Sequence, residues 1–271
     1  MKFPSDITLY YAHSSDPEIR FAASTGGFCK SFLVFLVETG RVDCAIITRS
    51  REGHPLRPET IATDRVEDIV STRTNSIYAI PKPLSILGSL ESKKSYAFVG
   101  LPCHCKALKN MQGRGRYLNI RVMVCLFCNY TPKDDFTLWR LRELGVSIGD
   151  VERIEYRGNG WPGKFTVFLK DGSRRQGVHK FTDLRYAPGP CVRCPILPTD
   201  FDISAGDPWN LGLEGRDTQG ATLVSVRGGE PNSLVREAER AGYIRLLTDP
   251  PADALERSQR SSFERKLRNR V

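Results

Sequence analysis

At 271 residues, 40% hydrophobic and 26% charged, the chain can bury a core in one large domain or two smaller ones, and nothing in its composition argues for disorder. No apolar run approaches the roughly 20 residues that span a bilayer, and Met1-Lys2-Phe3-Pro4-Ser5-Asp6 lacks the apolar stretch of a secretory signal, so the expectation is a cytoplasmic protein without a membrane span. A net charge of +9 suits a nucleic acid, an acidic protein or an acidic coenzyme, and does not choose among them.

Residues 7–12 read as a short strand. Ser24-Thr25-Gly26-Gly27 then opens an amphipathic helix over 28–38, with Phe28, Phe32, Leu33, Phe35 and Leu36 at helical spacing and Gly40 as its stop. A strand-like run over 42–48 and short helices near 64–70 and 83–90 follow. Residues 96–101 form an apolar strand that runs into Pro102-Cys103-His104-Cys105, and 118–124 a second one that runs into Cys125-Leu126-Phe127-Cys128. Both cysteine pairs are therefore expected just past the carboxyl ends of consecutive strands, where open α/β sheets place their ligands. Thr131-Pro132 starts a helix with Asp134 and Asp135 in its first turn, closed by Gly145.

From Val151 the pattern turns antiparallel: strands over 151–157, 164–170 and 173–178, with Asp171-Gly172 as a hairpin turn. Cys191 and Cys194 lie in a loop fixed by Pro188, Pro190, Pro195 and Pro198. Residues 203–207 read as a further turn, and a strand (221–226), a helix (231–241) and a strand (243–247) complete the pattern. The fold class is α/β of mixed α+β character. It has a central mixed sheet with flanking helices, an antiparallel hairpin region and a cysteine-rich loop. The expected regions are 1–92, 93–250 and a basic tail over 251–271. In that tail Arg257, Arg260, Arg265, Lys266, Arg268 and Arg270 face Glu256 and Glu264, which reads equally as a solvated terminal helix or as a contact surface.

Eight cysteines without a signal peptide point to metal or redox chemistry rather than a disulfide framework. Cys29, in the first helix, and Cys44, in a strand, read as buried bystanders. The other six form the three close pairs. Four thiolates hold either zinc or a 4Fe–4S cluster, and spacing alone leaves both open. The helix start at Thr25-Gly26-Gly27 offers backbone amides to an anion such as a cofactor phosphate, or is a plain cap. Arg157-Gly158-Asn159-Gly160-Trp161-Pro162-Gly163, followed by Lys164, is either a hairpin connector or an exposed aromatic bed for a flat anionic ring. His13, His54, His104 and His179 are isolated, so hydrolytic chemistry has no support.

Taken in order, several stretches resemble the beta-subunit family of coenzyme F420-reducing hydrogenase and related dehydrogenases. They are Ser24-Thr25-Gly26-Gly27, Val99-Gly100-Leu101-Pro102-Cys103, Leu126-Phe127-Cys128, residues 156–164, Cys191-Val192-Arg193-Cys194 and Asp202-Ile203-Ser204-Ala205-Gly206-Asp207. The resemblance implies FAD, one 4Fe–4S cluster and hydride exchange with the deazaflavin coenzyme, the electrons passing through the cluster to a partner oxidoreductase subunit. It implies Cys103, Cys128, Cys191 and Cys194 as cluster ligands, since Cys105 and Cys125 stand where the family more often has an apolar residue and a glycine. Ser24, Thr25, Gly26, Gly27, Tyr78, Gly206 and Asp207 stand as flavin contacts, with Arg157, Trp161 and Lys164 beside them. Two departures matter. Many relatives carry an extra cysteine-rich segment before the first strand that does not precede it in this sequence, so the expectation is a single cluster. The family's Ser-Lys-Tyr reads Ser76-Ile77-Tyr78 here, which puts the hydride donor in doubt and opens ferredoxin as its replacement. The alternatives are a ferredoxin-dependent flavin reductase of a small substrate and a zinc-stabilised nucleic-acid-binding module. The second leaves the glycine loops unexplained and lacks the interleaved aromatic and basic residues of a stacking platform.

Overall fold

Two sheets organise the chain. The computed structural model describes residues 6–180, 184–213, 217–247 and 250–270. β1 (Ile7–Ser14) leads through the short helix α1 (Pro17–Ala22) to α2 (Phe28–Glu38), the hairpin β2 (Cys44–Arg51) and β3 (His54–Thr63), and α3 (Val66–Val70). Then come β4 (Tyr96–Gly100), α4 (Pro102–Gln112), β5 (Ile120–Leu126) and α5 (Asp134–Glu143). β6 (Val151–Glu155), β7 (Lys164–Leu169) and β8 (Arg174–Val178) form a separate antiparallel sheet. The chain continues with α6 (Gly189–Val192), β9 (Ile203–Gly206), β10 (Thr222–Arg227), α7 (Gly229–Arg240), β11 (Ile244–Leu247) and α8 (Ala254–Arg268).

The large sheet has the order β11-β1-β10-β9-β5-β4-β2-β3. Its centre, β9-β5-β4-β2, is parallel, and antiparallel strands flank it on both sides. The parallel strands are covered on both faces, which is why β4 reads as an unbroken apolar run. On one face α2 buries Phe28, Phe32, Phe35 and Leu36 with α7's Val235 and Ala238, the first two rings stacked at 5.4 Å. Each such side chain contributes about 1.5–3 kcal/mol of burial. On the other face α4 inserts Cys105 and Leu108 among Tyr96, Phe98 and Ile120. The expected mixed α/β architecture is the one found.

Four details differ from the sequence reading. β3 was not anticipated. Residues 203–206 are a strand, not a turn: this short segment lies between β5 and β10, and Gly206 is needed because a Cβ there would meet the Phe127 side chain at 2.4 Å. Cys125 lies inside β5, opposite Gly100 and Ser204, rather than past its end. The basic tail is not simply solvated, since α8 buries Leu255, Phe263 and Lys266 against a cluster containing Tyr11, Leu197 and Leu223. Among the described residues no helix is long and apolar enough to cross a membrane.

Candidate functional site

A cavity of about 210 Å³ opens at the carboxyl ends of β2, β4 and β5. Thr48, Val99, Leu101 and Leu126 supply strand-end walls, and the start of α2 closes one side. Gly27, the cap of α2, has φ +76° and offers no side-chain hydrogen bond, so the first amides of an 11-residue helix are left for a ligand. Gly26 is equally constrained, with φ +70° and Ala221 Cα only 2.8 Å from where a Cβ would stand. The loop is tied on both sides. Ser24 Oγ accepts the Ser76 amide at 2.8 Å, Thr25 Oγ1 donates to Ala221 O at 2.9 Å, and the Thr222 hydroxyl donates to Thr25 O.

Three residues around this cavity escaped the sequence reading. Lys30, in the first turn of α2, donates from Nζ to Val70 O, Ser71 O and Asn75 Oδ1 at 3.1, 2.9 and 2.8 Å. Asn75 passes the restraint on, donating to Ala22 O and Arg157 O at 2.9 and 3.1 Å. His104 lines the cavity from the first turn of α4; its Nδ1 accepts the Leu101 amide at 3.3 Å, and burial lowers its pKa to about 4. The imidazole is therefore neutral at pH 7, with its proton on Nε2. A polar residue inside an otherwise apolar helix start was the available signal for Lys30. Cys29 also lines the cavity, its thiol pushed up to about 12 by desolvation.

Desolvation pulls Lys30 down to about 7 against the opposing pull of Glu155. Between that value and its ordinary 10.5 the unfolded chain binds a proton that the folded chain lacks. Stability should therefore rise with pH through this window and carry its full desolvation penalty below it. Lys30→Met is expected to flatten that rise, as read from urea unfolding at pH 7 and pH 10. It should also cost roughly 1–3 kcal/mol through the acceptors it strands.

Behind the cavity lies a buried ionic network. Arg157 donates to both carboxylate oxygens of Asp207 at 2.6 Å, to Pro162 O at 2.9 Å and to Ser24 O at 2.8 Å. Trp161 Nε1 donates to Asp207 Oδ1 at 2.8 Å. Trp161 is only 5% exposed and stacks on Trp209 at 4.9 Å, so the exposed aromatic bed expected at this loop is not formed. Of the ten residues named as flavin contacts, Ser24, Thr25 and Gly27 line the cavity. Arg157, Trp161 and Asp207 brace it through Ser24. Tyr78 packs against Tyr156 and Phe136 at 5.3 and 5.9 Å, while its neighbours Ser76 and Ile77 line the wall. Gly206 lies under Phe127, and Lys164 is exposed at the start of β7.

The cysteines gather beside the cavity. Cys103 is in the first turn of α4, Cys128 follows β5, Cys191 lies in α6 and Cys194 just beyond it. Burial raises the Cys103 thiol, with Cys194 and Cys191 adding to the effect. Desolvation pushes Cys128 up to about 12, with Cys103, Cys191 and Cys194 acting in the same direction. These four thiols are thus electrostatic neighbours. Among the described residues, however, no three Cys, His, Asp or Glu side chains converge on a single ion. Cys105 and Cys125 are fully buried in the core; burial raises the Cys125 thiol, and the Cys105 side chain beside it adds to the effect.

α8 fastens these loops. Ser262 Oγ donates to Cys128 O at 3.3 Å, and Arg265 donates to Cys191 O at 2.7 Å and Asn129 O at 2.5 Å. Lys266 Nζ donates to Ile196 O at 3.0 Å and to Cys194 Sγ at 3.4 Å. Gln259 Nε2 reaches Asp207 O at 3.0 Å, linking α8 to the ionic network as well.

Residues 9–87 match the family model for the N-terminal part of the beta subunit of coenzyme F420 hydrogenase/dehydrogenase, and residues 93–251 match the model for its C-terminal part. The chain is 27% identical over 251 residues to F420-dependent formate dehydrogenase 1 subunit beta of Methanococcus maripaludis, covering 90% of this chain and 62% of that one. It is 26% identical over 250 residues to the coenzyme F420-dependent sulfite reductase of Methanocaldococcus jannaschii, covering 85% of this chain and 37% of that one. It thus spans less than two thirds of the length of either relative. A chain from the F420-reducing NiFe hydrogenase complex of Methanosarcina barkeri has the same fold, with TM-score 0.73 and 22% identity over 99% of this chain and 94% of that one.

Proposed function

The chain belongs to the coenzyme F420 hydrogenase/dehydrogenase beta-subunit family, and from that membership we propose that it is the electron-transfer subunit of an F420-linked oxidoreductase. In this reading FAD binds in the cavity and a 4Fe–4S cluster on Cys103, Cys128, Cys191 and Cys194. What supports it is a wall shared by the two places. Leu101 and His104 line the cavity on either side of Cys103, and Leu126 lines it two residues before Cys128.

A bound flavin accepts the two electrons of a hydride together, and a 4Fe–4S cluster carries electrons singly. The protein's own residues do the rest. The amides at the start of α2 receive a phosphate, and the loop over 24–27 is held in register by Ser76, Ala221 and Arg157. Phe28, Leu33, Ile47 and Val99 exclude water from the cavity. Their apolar surface lets electrons leave toward the cysteines without competing proton chemistry from the protein. The basic surface attracts an acidic carrier and an acidic partner protein.

Anaerobically purified protein should show a flavin band and a broad iron–sulfur shoulder that bleach on reduction. Stopped-flow mixing with reduced deazaflavin should bleach the flavin. Bleaching with reduced ferredoxin alone would replace the carrier; Ile77, which stands in the cavity wall, is the departure that makes ferredoxin the control. A colourless protein with one tightly bound zinc would overturn the reading.

A further inference from the structure

Lys266 is 1% exposed, deeper than any arginine that carries a partner in this structure. Arg157 and Arg140, nearly as buried, each have a carboxylate, Asp207 and Glu143 respectively. Among the described residues Lys266 has none. Its Nζ donates to one carbonyl, Ile196 O, and to the sulfur of Cys194. A charge removed from water without a counter-charge is costly; Lys30, also without a carboxylate, spreads its ammonium over three oxygen acceptors, whereas Lys266 has one oxygen and one sulfur. The sulfur in contact with this ammonium, Cys194 Sγ, becomes anionic when it binds metal.

We infer that Lys266 supplies the counter-charge of the cysteine centre and sets its reduction potential. The inference rests on the cluster reading above. Reduction adds one electron, delivered from the flavin, and breaks no bond, so the more negative state is the one a fixed adjacent cation favours. The hydrogen bond to Cys194 acts in the same direction by withdrawing electron density from the ligating sulfur. Arg265 differs in kind. It is only half-buried and holds the carbonyls of Cys191, Val192 and Asn129, so it positions the loops, and water screens its charge. Lys266 lies on α8, beyond residue 251, where the family match ends. Nothing in that match assigns it a role.

Lys266→Met, Lys266→Gln and Lys266→Arg, prepared anaerobically in the full chain, test the assignment through iron content and an EPR-monitored redox titration. The methionine variant should keep its iron and shift the centre to a lower midpoint potential, by at least a tenfold change in the one-electron equilibrium, about 59 mV. Glutamine, a donor without charge, should fall between methionine and the parent, and arginine should stay near the parent. A methionine variant with parental iron and parental potential overturns the inference. If methionine prevents iron binding, the glutamine and arginine variants decide: an unchanged potential in glutamine, or equal loss of iron in arginine, overturns it. A parent protein without iron overturns the cluster reading itself, a result distinct from an iron-loaded centre that ignores residue 266.

Discussion

Cys128→Ser and Cys194→Ser are each expected to abolish iron binding, and Cys103→Ser and Cys191→Ser to do the same, while Cys105→Ser and Cys125→Ser retain it. A serine oxygen is a poor replacement for a thiolate at a cluster, and losing one of four ligands opens the centre to water. The two groups of cysteines differ in place, not merely in motif. Cys105 and Cys125 are 0% exposed among Leu108, Phe98 and Ile120, and a hydroxyl there costs roughly 1–3 kcal/mol of folding stability. Iron and acid-labile sulfide measured on all six variants, beside thermal unfolding, separate loss of ligand from loss of fold. Iron lost in Cys105→Ser but kept in Cys103→Ser would exchange their roles.

The second large effect concerns Arg157. Arg157→Met should destabilise the protein by up to about 3–5 kcal/mol, because it leaves the half-buried Asp207 carboxylate without its partner and strands the Ser24 and Pro162 carbonyls. Pairing it with Asp207→Leu should recover part of that loss, since the uncompensated charge disappears while the indole N–H of Trp161 and the two carbonyls stay unpaired. Urea midpoints of the single and double variants measure the coupling. Strictly additive losses would mean that the pair is not a unit. Because Arg157 holds Ser24 at the cavity wall, the single variant should also weaken flavin retention.

Much of this was visible in the amino-acid order. α2 occupies 28–38 as its apolar spacing dictates, and the three-stranded hairpin follows its turn residues. The four cysteines named through family resemblance are electrostatic neighbours, which their separation along the chain could not show. Other features were hidden for physical reasons. β9 is four residues ending in glycine, and only its two neighbouring strands make it a strand. Trp161 sits in a loop of glycines and charges that looks solvated, yet Asp207, 46 residues later, draws it inward. The buried stripe of α8, Leu255, Ser258, Ser262, Phe263 and Lys266, follows helical spacing but is masked by the cations around it. A lysine buried beside sulfur cannot be told from one in water by composition.

α8 stands after all three cysteine loops in chain order, with about 60 residues between Cys194 and its first turn. At roughly 5–20 residues per second, a ribosome needs several seconds to make that interval. During it the thiols of 103, 128, 191 and 194 have been synthesised while Ser262, Arg265 and Lys266 have not yet been added to secure them. The nascent chain therefore passes through a period in which these thiols are not yet held in place by α8. Completion of α8 ends it by fixing the loops that carry Cys128, Cys191 and Cys194.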